Sequence, residues 1–111
     1  MALERISDMQ VLEQVIATSN EKPLLILKHS TTCPISARAY QVVEEWSQQH
    51  DVAAYLVYVI EDRSISNEIS ARFAIKHESP QVLLIQNEQV HYHTSHFGIK
   101  KNNLLAAFGE L

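Results

Sequence analysis

Scarcity is the most informative property of these 111 residues, which hold one cysteine, two glycines, three prolines and one tryptophan. With only Gly98 and Gly109, neither a phosphate-cradling loop nor a dinucleotide fingerprint can be built, which argues against nucleotide-dependent chemistry. No stretch approaches the roughly 18 consecutive apolar residues of a membrane span. The opening Met-Ala-Leu-Glu-Arg-Ile-Ser-Asp has no basic region leading into an apolar core, so a secretory leader is not expected. A net charge of −4 without any basic cluster argues against nucleic acid and anionic membrane as main partners. A single unpaired thiol fits a reducing cytoplasm, where the protein is expected to reside.

What is present is enough for one folded domain spanning residues 1–111, since 46% hydrophobic content supports an ordinary core. Ser7 and Gln10 read as a capping box, with Ile6 and Val11 as its hydrophobic staple. Met9, Leu12, Val15 and Ile16 form the stripe of that first helix, and Asn20 to Pro23 end it. Leu24 to Leu27 is a short continuous apolar run, the mark of a strand covered on both faces. A second helix carries Ile35, Ala39, Val42, Val43 and Trp46 at helical spacing and gives out near Gln49-His50-Asp51. Ala53 to Ile60 reads as a second buried strand. Ile65, Ile69 and Phe73 define a third helix with Ser64 or Ser66 near its start. Val82 to Ile85 is a third strand, turning at Asn87-Glu88 into a fourth over about Gln89 to Thr94. Leu104, Leu105, Phe108 and Leu111 line a last helix. This order specifies an α/β fold: a mixed sheet of four strands, or five if Leu3 to Ile6 adds an edge, flanked by four helices.

Cys33 stands between the first strand and the second helix, in Thr32-Cys33-Pro34-Ile35-Ser36. Helix grammar puts Cys33 at the N-cap, Pro34 at the first helical position and Ser36 at the third. A side chain at the N-cap faces the unpaired backbone N–H groups of Ile35 and Ser36. Those donors and the positive end of the helix dipole favour a thiolate over a thiol. Thiols so placed commonly have pKa values of about 3.5–7.5, against about 8.5 unperturbed. The bland alternative is a buried, inert cysteine acting as a small hydrophobe. Its place at the cap, ahead of the apolar stripe, argues against that.

A Cys-Pro pair opening the helix after a central strand, with Ser79-Pro80 immediately before the third strand, gives the chain a family likeness. It resembles thioredoxin-fold proteins. More closely, Ser30-Thr31-Thr32-Cys33-Pro34-Ile35-Ser36 with His77-Glu78-Ser79-Pro80-Gln81 resembles the monothiol bacilliredoxins of the YtxJ type, which are associated with the small thiol bacillithiol. The resemblance runs over nearly the whole chain in element order and is specific at those two motifs. It implies a thioredoxin-like fold in which the Ser79–Pro80 bond is cis and packs beside the sulfur. Thr32, Ser79 and Pro80 then shape a substrate groove, with the Ser79 backbone free to pair with a substrate backbone. Ser36 stands where dithiol relatives carry a resolving cysteine, and a hydroxyl cannot expel a mixed disulfide. The activity implied is therefore one-thiol exchange: Cys33 is the catalytic nucleophile that removes a low-molecular-weight thiol, by resemblance bacillithiol, from protein mixed disulfides. Bacillithiolated proteins and a second small thiol are the expected partners, bacillithiol being a co-substrate. No metal, nucleotide or flavin cofactor is expected, and the expected assembly is a monomer. Ser36 could donate a hydrogen bond to the sulfur or simply cap the helix.

Other cysteine chemistries fit the spacing poorly. Phosphatase-like enzymes need glycines and an arginine one position further from the cysteine than Arg38, and peroxidatic cysteines need a Thr where Ser30 stands. His91 and His93, two apart on a strand, would share a face with His96 just beyond, but a solvated face is commoner than a metal grip. His29 reads as a strand or loop residue, and Trp46 as core. Arg38, Lys76 and His77 could meet carboxylates of a small thiol near the cleft, though solvated surface charge is the default. From a different class, the alternative is a non-catalytic thioredoxin-like interaction module with an incidental or regulatory thiol.

Overall fold

The computed structural model describes residues 3–111; Met1 and Ala2, part of the segment where no leader is expected, lie outside the described residues. The elements run β1 (Glu4–Arg5), α1 (Met9–Thr18), β2 (Leu24–His29), α2 (Pro34–His50), β3 (Ala53–Tyr58), α3 (Arg63–Phe73), β4 (Gln81–Gln86), β5 (Gln89–Ser95), a 3-10 turn (His96–Gly98) and α4 (Lys101–Gly109). The sheet is five-stranded in the order β1-β3-β2-β4-β5, so Glu4 and Arg5 supply the short edge strand. β2 runs parallel to β3 and antiparallel to β4, and all six of its residues are buried. That direction pattern gathers the C-terminal ends of β2, β3 and β5 and the N-terminal end of β4 at one edge of the molecule.

Alternation along the strands divides the core in two. Leu25, Leu27, Leu56, Val82 and Leu84 pack with Ala39, Val43 and Trp46 of α2 and Leu104 and Ala107 of α4. Leu24, Ile26, Val57, Leu83 and Ile85 face the other way, onto Leu12, Val15 and Ile16 of α1 and Ile65 and Ile69 of α3. Each face of the sheet is therefore covered by a helix pair, as runs of buried β residues require.

Several boundaries differ from the sequence reading. α1 is capped by Asp8, whose carboxylate accepts from the Val11 N–H at 2.8 Å, and not by Ser7. The Ile6 N–H is still held by the Leu56 carbonyl at 2.8 Å, which keeps the chain extended too long for a cap at Ser7. The shift leaves Met9 outside the stripe, 41% exposed. α3 opens at Asp62, ahead of Ser64 and Ser66, because the Asp62 N–H bonds the Tyr58 carbonyl at 2.8 Å in a tight turn. β3 accordingly stops at Tyr58, and Ile60 is exposed. Leu105 and Leu111 of the last segment are exposed too; Ala107 takes the buried position beside Leu104. A bulge at Leu84/Ile85 pairs Val90 with Ile85 and Tyr92 with Leu84, so both pack on core although they are two apart. The same bulge breaks the alternation that would set His91 and His93 side by side.

The two glycines differ in what they tolerate. A Cβ on Gly98 would clash with Thr94 Oγ1, whereas one on Gly109 meets nothing within 4 Å. Gly98→Ala should therefore destabilise the protein by about 1–3 kcal/mol in urea unfolding, as overpacking does. Gly109→Ala should be neutral or stabilise by up to about 1 kcal/mol. Equal effects of the two would contradict this assignment of Gly98 to a close approach to the Thr94 side chain.

Candidate active site

The edge where β2, β3 and β5 end and β4 begins carries every residue on which the sequence reading centred. Cys33 is the N-cap of α2, with extended backbone (φ −106°, ψ 121°), and Pro34 follows in the first turn. The Ala37 N–H bonds the Cys33 carbonyl at 3.1 Å, the first rung of the helix. Behind Cys33, its N–H reaches the Ser30 carbonyl at 3.4 Å, and the hydroxyls of Ser30 and Thr32 are 3.2 Å apart. Thr32 is exposed, Cys33 half-buried and free of any disulfide, and Ser36 fully buried.

No close capping hydrogen bond reaches the Cys33 side chain. Its pKa is nevertheless lowered from the ordinary thiol value, first by the backbone N–H of Ser36. Partial burial opposes this, and the Ile35 N–H and the Ser36 hydroxyl add to it. Both statements describe one arrangement: the donors are aimed at the sulfur and strengthen when it carries charge. The buried Ser36 Oγ has no hydrogen-bond partner, which leaves its proton available to the sulfur.

A second wall is the loop before β4. Ser79–Pro80 is a cis peptide, and Pro80 is buried. The loop is tied on three sides. Gln81 Nε2 donates to the Lys76 carbonyl at 3.0 Å, closing it on itself. The His96 N–H donates to the Pro80 carbonyl at 3.0 Å, and Ser95 Oγ donates to Glu78 at 3.1 Å. His96 Nδ1 also approaches Glu78 at 3.8 Å. The third wall is therefore the 3-10 turn, where Ile35, Arg38 and Ala39 of α2 face His96, Phe97 and Ile99 across a small cleft. His96 belongs to this wiring and does not stand with His91 and His93, and among the described residues no cluster of His, Cys, Asp and Glu could hold a metal.

Two residues at the end of β2 are buried at this edge: His29, read from the sequence as a strand or loop residue, and Lys28, which the sequence reading did not single out. His29, the last residue of β2, is 9% exposed, with its ring 5.5 Å from that of Tyr40 and 5.9 Å from that of Tyr58. Burial pushes its pKa below the ordinary histidine value, against the opposing pull of the Ser36 carbonyl and Glu61. It is a neutral neighbour of the α2 start. Lys28 is fully buried on the other face; its ammonium donates to Ser70 Oγ at 2.9 Å and lies 3.2 Å from His77 Nδ1. Only its place at the end of the apolar run Leu24–Leu27 could have flagged it. Arg38, Lys76 and His77 are exposed; Arg38 lines the small cleft with Ile35, and His77 stands on the loop that leads into Ser79–Pro80.

A thiol on a helix end, on the same sheet edge as a cis-proline loop and with this strand order, defines a class: thiol–disulfide oxidoreductases of the thioredoxin fold. A solved structure described as a candidate oxidoreductase with a thioredoxin fold matches at TM-score 0.89 and 33% identity, over 96% of this chain and 94% of that one. Thioredoxin of Malassezia sympodialis (22% identity, TM-score 0.76, 98% and 90% covered) and mitochondrial thioredoxin 3 of Saccharomyces cerevisiae (15%, 0.77, 98% and 95%) share the fold. Within the class, the family model described as monothiol bacilliredoxin BrxC matches residues 4–104, and the chain belongs to that family. It is a thiol–disulfide oxidoreductase whose partners are thiol-modified proteins. No helix among the described residues is long and apolar enough to cross a membrane.

Two pH dependences follow. Alkylation of Cys33 by iodoacetamide should titrate below the ordinary thiol range, and Ser36→Ala should raise the midpoint only slightly, because the leading backbone donor remains. An ordinary midpoint in the wild type would remove the helix end from the chemistry. Lys28 is pushed down by burial from 10.5 to about 8. Between those values the unfolded chain binds more protons, so stability should rise with pH there, while below about 8 the whole cost of the buried charge is present. Lys28→Met should flatten that rise and stabilise the protein at pH 7 by about 1–3 kcal/mol. Urea unfolding of both proteins from pH 7 to 10 checks this.

Proposed function

We propose that the protein removes a low-molecular-weight thiol, bacillithiol, from mixed disulfides with cytoplasmic proteins, acting as a monomer through Cys33 alone. The observation that carries this reading is the pairing of a thiolate-favouring Cys33 with a buried hydroxyl, Ser36, at the position of a resolving thiol. In the first step the Cys33 thiolate attacks the small-thiol sulfur of the mixed disulfide. A Cys33–small-thiol disulfide forms, the S–S bond between the small thiol and the partner protein breaks, and the released protein thiolate takes a proton from water. With no other cysteine in the chain, the Cys33 adduct waits for a second small thiol. That thiolate attacks the adduct, releases a symmetric small-thiol disulfide and restores the Cys33 thiolate. The reaction needs no metal, nucleotide or flavin.

Thr32, Ser79 and Pro80 form the groove that receives the protein partner, with the Ser79 backbone pairing with its extended chain. Two exposed apolar side chains at the same edge, Ile60 (58%) and Phe97 (65%), favour a protein partner over a small substrate alone.

Intact mass spectrometry tests the reading. Given a protein carrying bacillithiol as a mixed disulfide, the wild type should take over one small thiol on Cys33 and keep it. Cys33→Ala should remain folded, since a cap change costs about 0.5–2 kcal/mol, and should transfer nothing. Ser36→Cys should release the small thiol and close an internal disulfide, losing about two mass units, because a neighbouring thiol attacks at high effective concentration. Transfer by Cys33→Ala would leave only the interaction-module alternative; a persistent adduct on Ser36→Cys would show that position 36 does not face the sulfur.

A further inference from the structure

The buried ammonium of Lys28 has no part in the exchange steps above, yet it is held in a defined polar cluster at the same edge. It has only hydrogens to offer. Its neighbours on β3 and β4 are Val57 and Gln81, and neither adds an ionised partner. From α3 come Ser70 Oγ at 2.9 Å and Ser66 Oγ, the latter 3.3 Å from His77 Nδ1. From the loop before β4 comes His77 Nδ1 itself, 3.2 Å from Nζ. Lys28 titrates at about 8 and so is charged at pH 7. Burial, Lys28 and Arg63 hold His77 below its ordinary pKa, with Glu78 opposing, so its ring is neutral.

A charged donor 3.2 Å away makes Nδ1 the acceptor, and the single ring proton must then sit on Nε2. The residue as a whole is exposed while its Nδ1 edge meets a fully buried side chain, so the Nε2 edge is the one that solvent reaches. It is presented from the loop that leads into Ser79–Pro80. The adjacent Glu78 is turned away to Ser95 and His96, which leaves the His77 donor without a competing acceptor from its own loop.

We propose that His77 is a specificity-determining residue of the exchange reaction, its Nε2–H donating to a carboxylate of the small thiol, and that Lys28 is the positioning residue that fixes this tautomer. The proposal rests on the exchange reading and adds the feature of the small thiol that is read. Exposed Lys76 next in the chain and Arg38 in the first turns of α2 are two further cations, while Glu78 of the same loop is held by Ser95 and His96.

Long-range proton–nitrogen correlation of histidine-labelled wild type at pH 7 should show His77 as the Nε2–H tautomer, and Lys28→Met should lose that preference. A wild-type ring protonated on Nδ1 overturns the proposal at once. Transfer kinetics supply the second arm, with one carrier protein bearing either glutathione, which has carboxylates, or 2-mercaptoethanol, which has none. His77→Ala and Lys28→Met should lower kcat/KM about tenfold for the glutathione adduct, as loss of one charge-assisted hydrogen bond does. The mercaptoethanol adduct should change by less than about twofold, and His77→Gln, which keeps a donor, should recover part of the loss. No loss, or equal loss for both adducts, overturns the carboxylate assignment while leaving exchange intact. A wild type that transfers neither adduct defeats the exchange reading instead, and the tautomer measurement then decides the Lys28–His77 link by itself.

Discussion

Everything at the working edge depends on β2 being enclosed. Its six residues are buried, its backbone is paired on both sides, and its two faces belong to two separate cores. A strand with no free edge or face cannot shift register without exposing one core and burying the wrong residues. The exit of the chain from His29 is fixed by that, and so is the position of the α2 N-cap that follows. Pairing directions do the rest. Because β4 runs against β2, its first residue, and hence the Ser79–Pro80 peptide, arrives where β2 ends. β5, running against β4, returns the chain to the same edge at Ser95 and His96.

Much of this arrangement is legible in the sequence. Leu24–Leu27 announces a doubly covered strand, Cys33-Pro34 a helix start, and Asn87-Glu88 a tight turn, which the structure makes with both residues at positive φ. Element existence and order were readable because each has its own hydrophobic period. Boundaries were less so. Asp8 displaces Ser7 as a cap because a hydrogen bond from Ile6 to β3, a tertiary contact, decides where the chain leaves the sheet. The bulge in β5 is likewise invisible, since one extra residue alters the face of every later side chain without changing composition.

The site divides in the same way. Cys33, Pro34, Ile35 and Ser36 are neighbours in sequence, and local helix geometry alone gives the thiol its surroundings. For residues that reach the site through the fold, the contacts are not legible in the sequence. Lys28 and His29 extend an apolar strand and read as its polar end, yet both are buried, one on each core. His96 sits beside His91 and His93 in the chain but binds through its backbone to Pro80, a contact that spacing cannot show.

The electrostatics of the thiol explain why its support comes from backbone. A cation beside Cys33 would hold a thiolate more strongly, but nucleophilicity falls as thiol pKa falls, so a deeply lowered pKa yields an abundant and sluggish nucleophile. The Ser36 and Ile35 N–H groups lower it without adding a full charge, and they do not titrate. His29, which meets the Ser36 backbone, is kept neutral by burial and adds no charge to the α2 start. Of the buried charged groups at this edge, Asp62 is paired with Arg5, and Lys28 meets His77 of the loop before β4. An apolar side chain in place of Lys28 would be more stable. A buried ammonium at this position gives up stability in exchange for a fixed donor to the loop before β4.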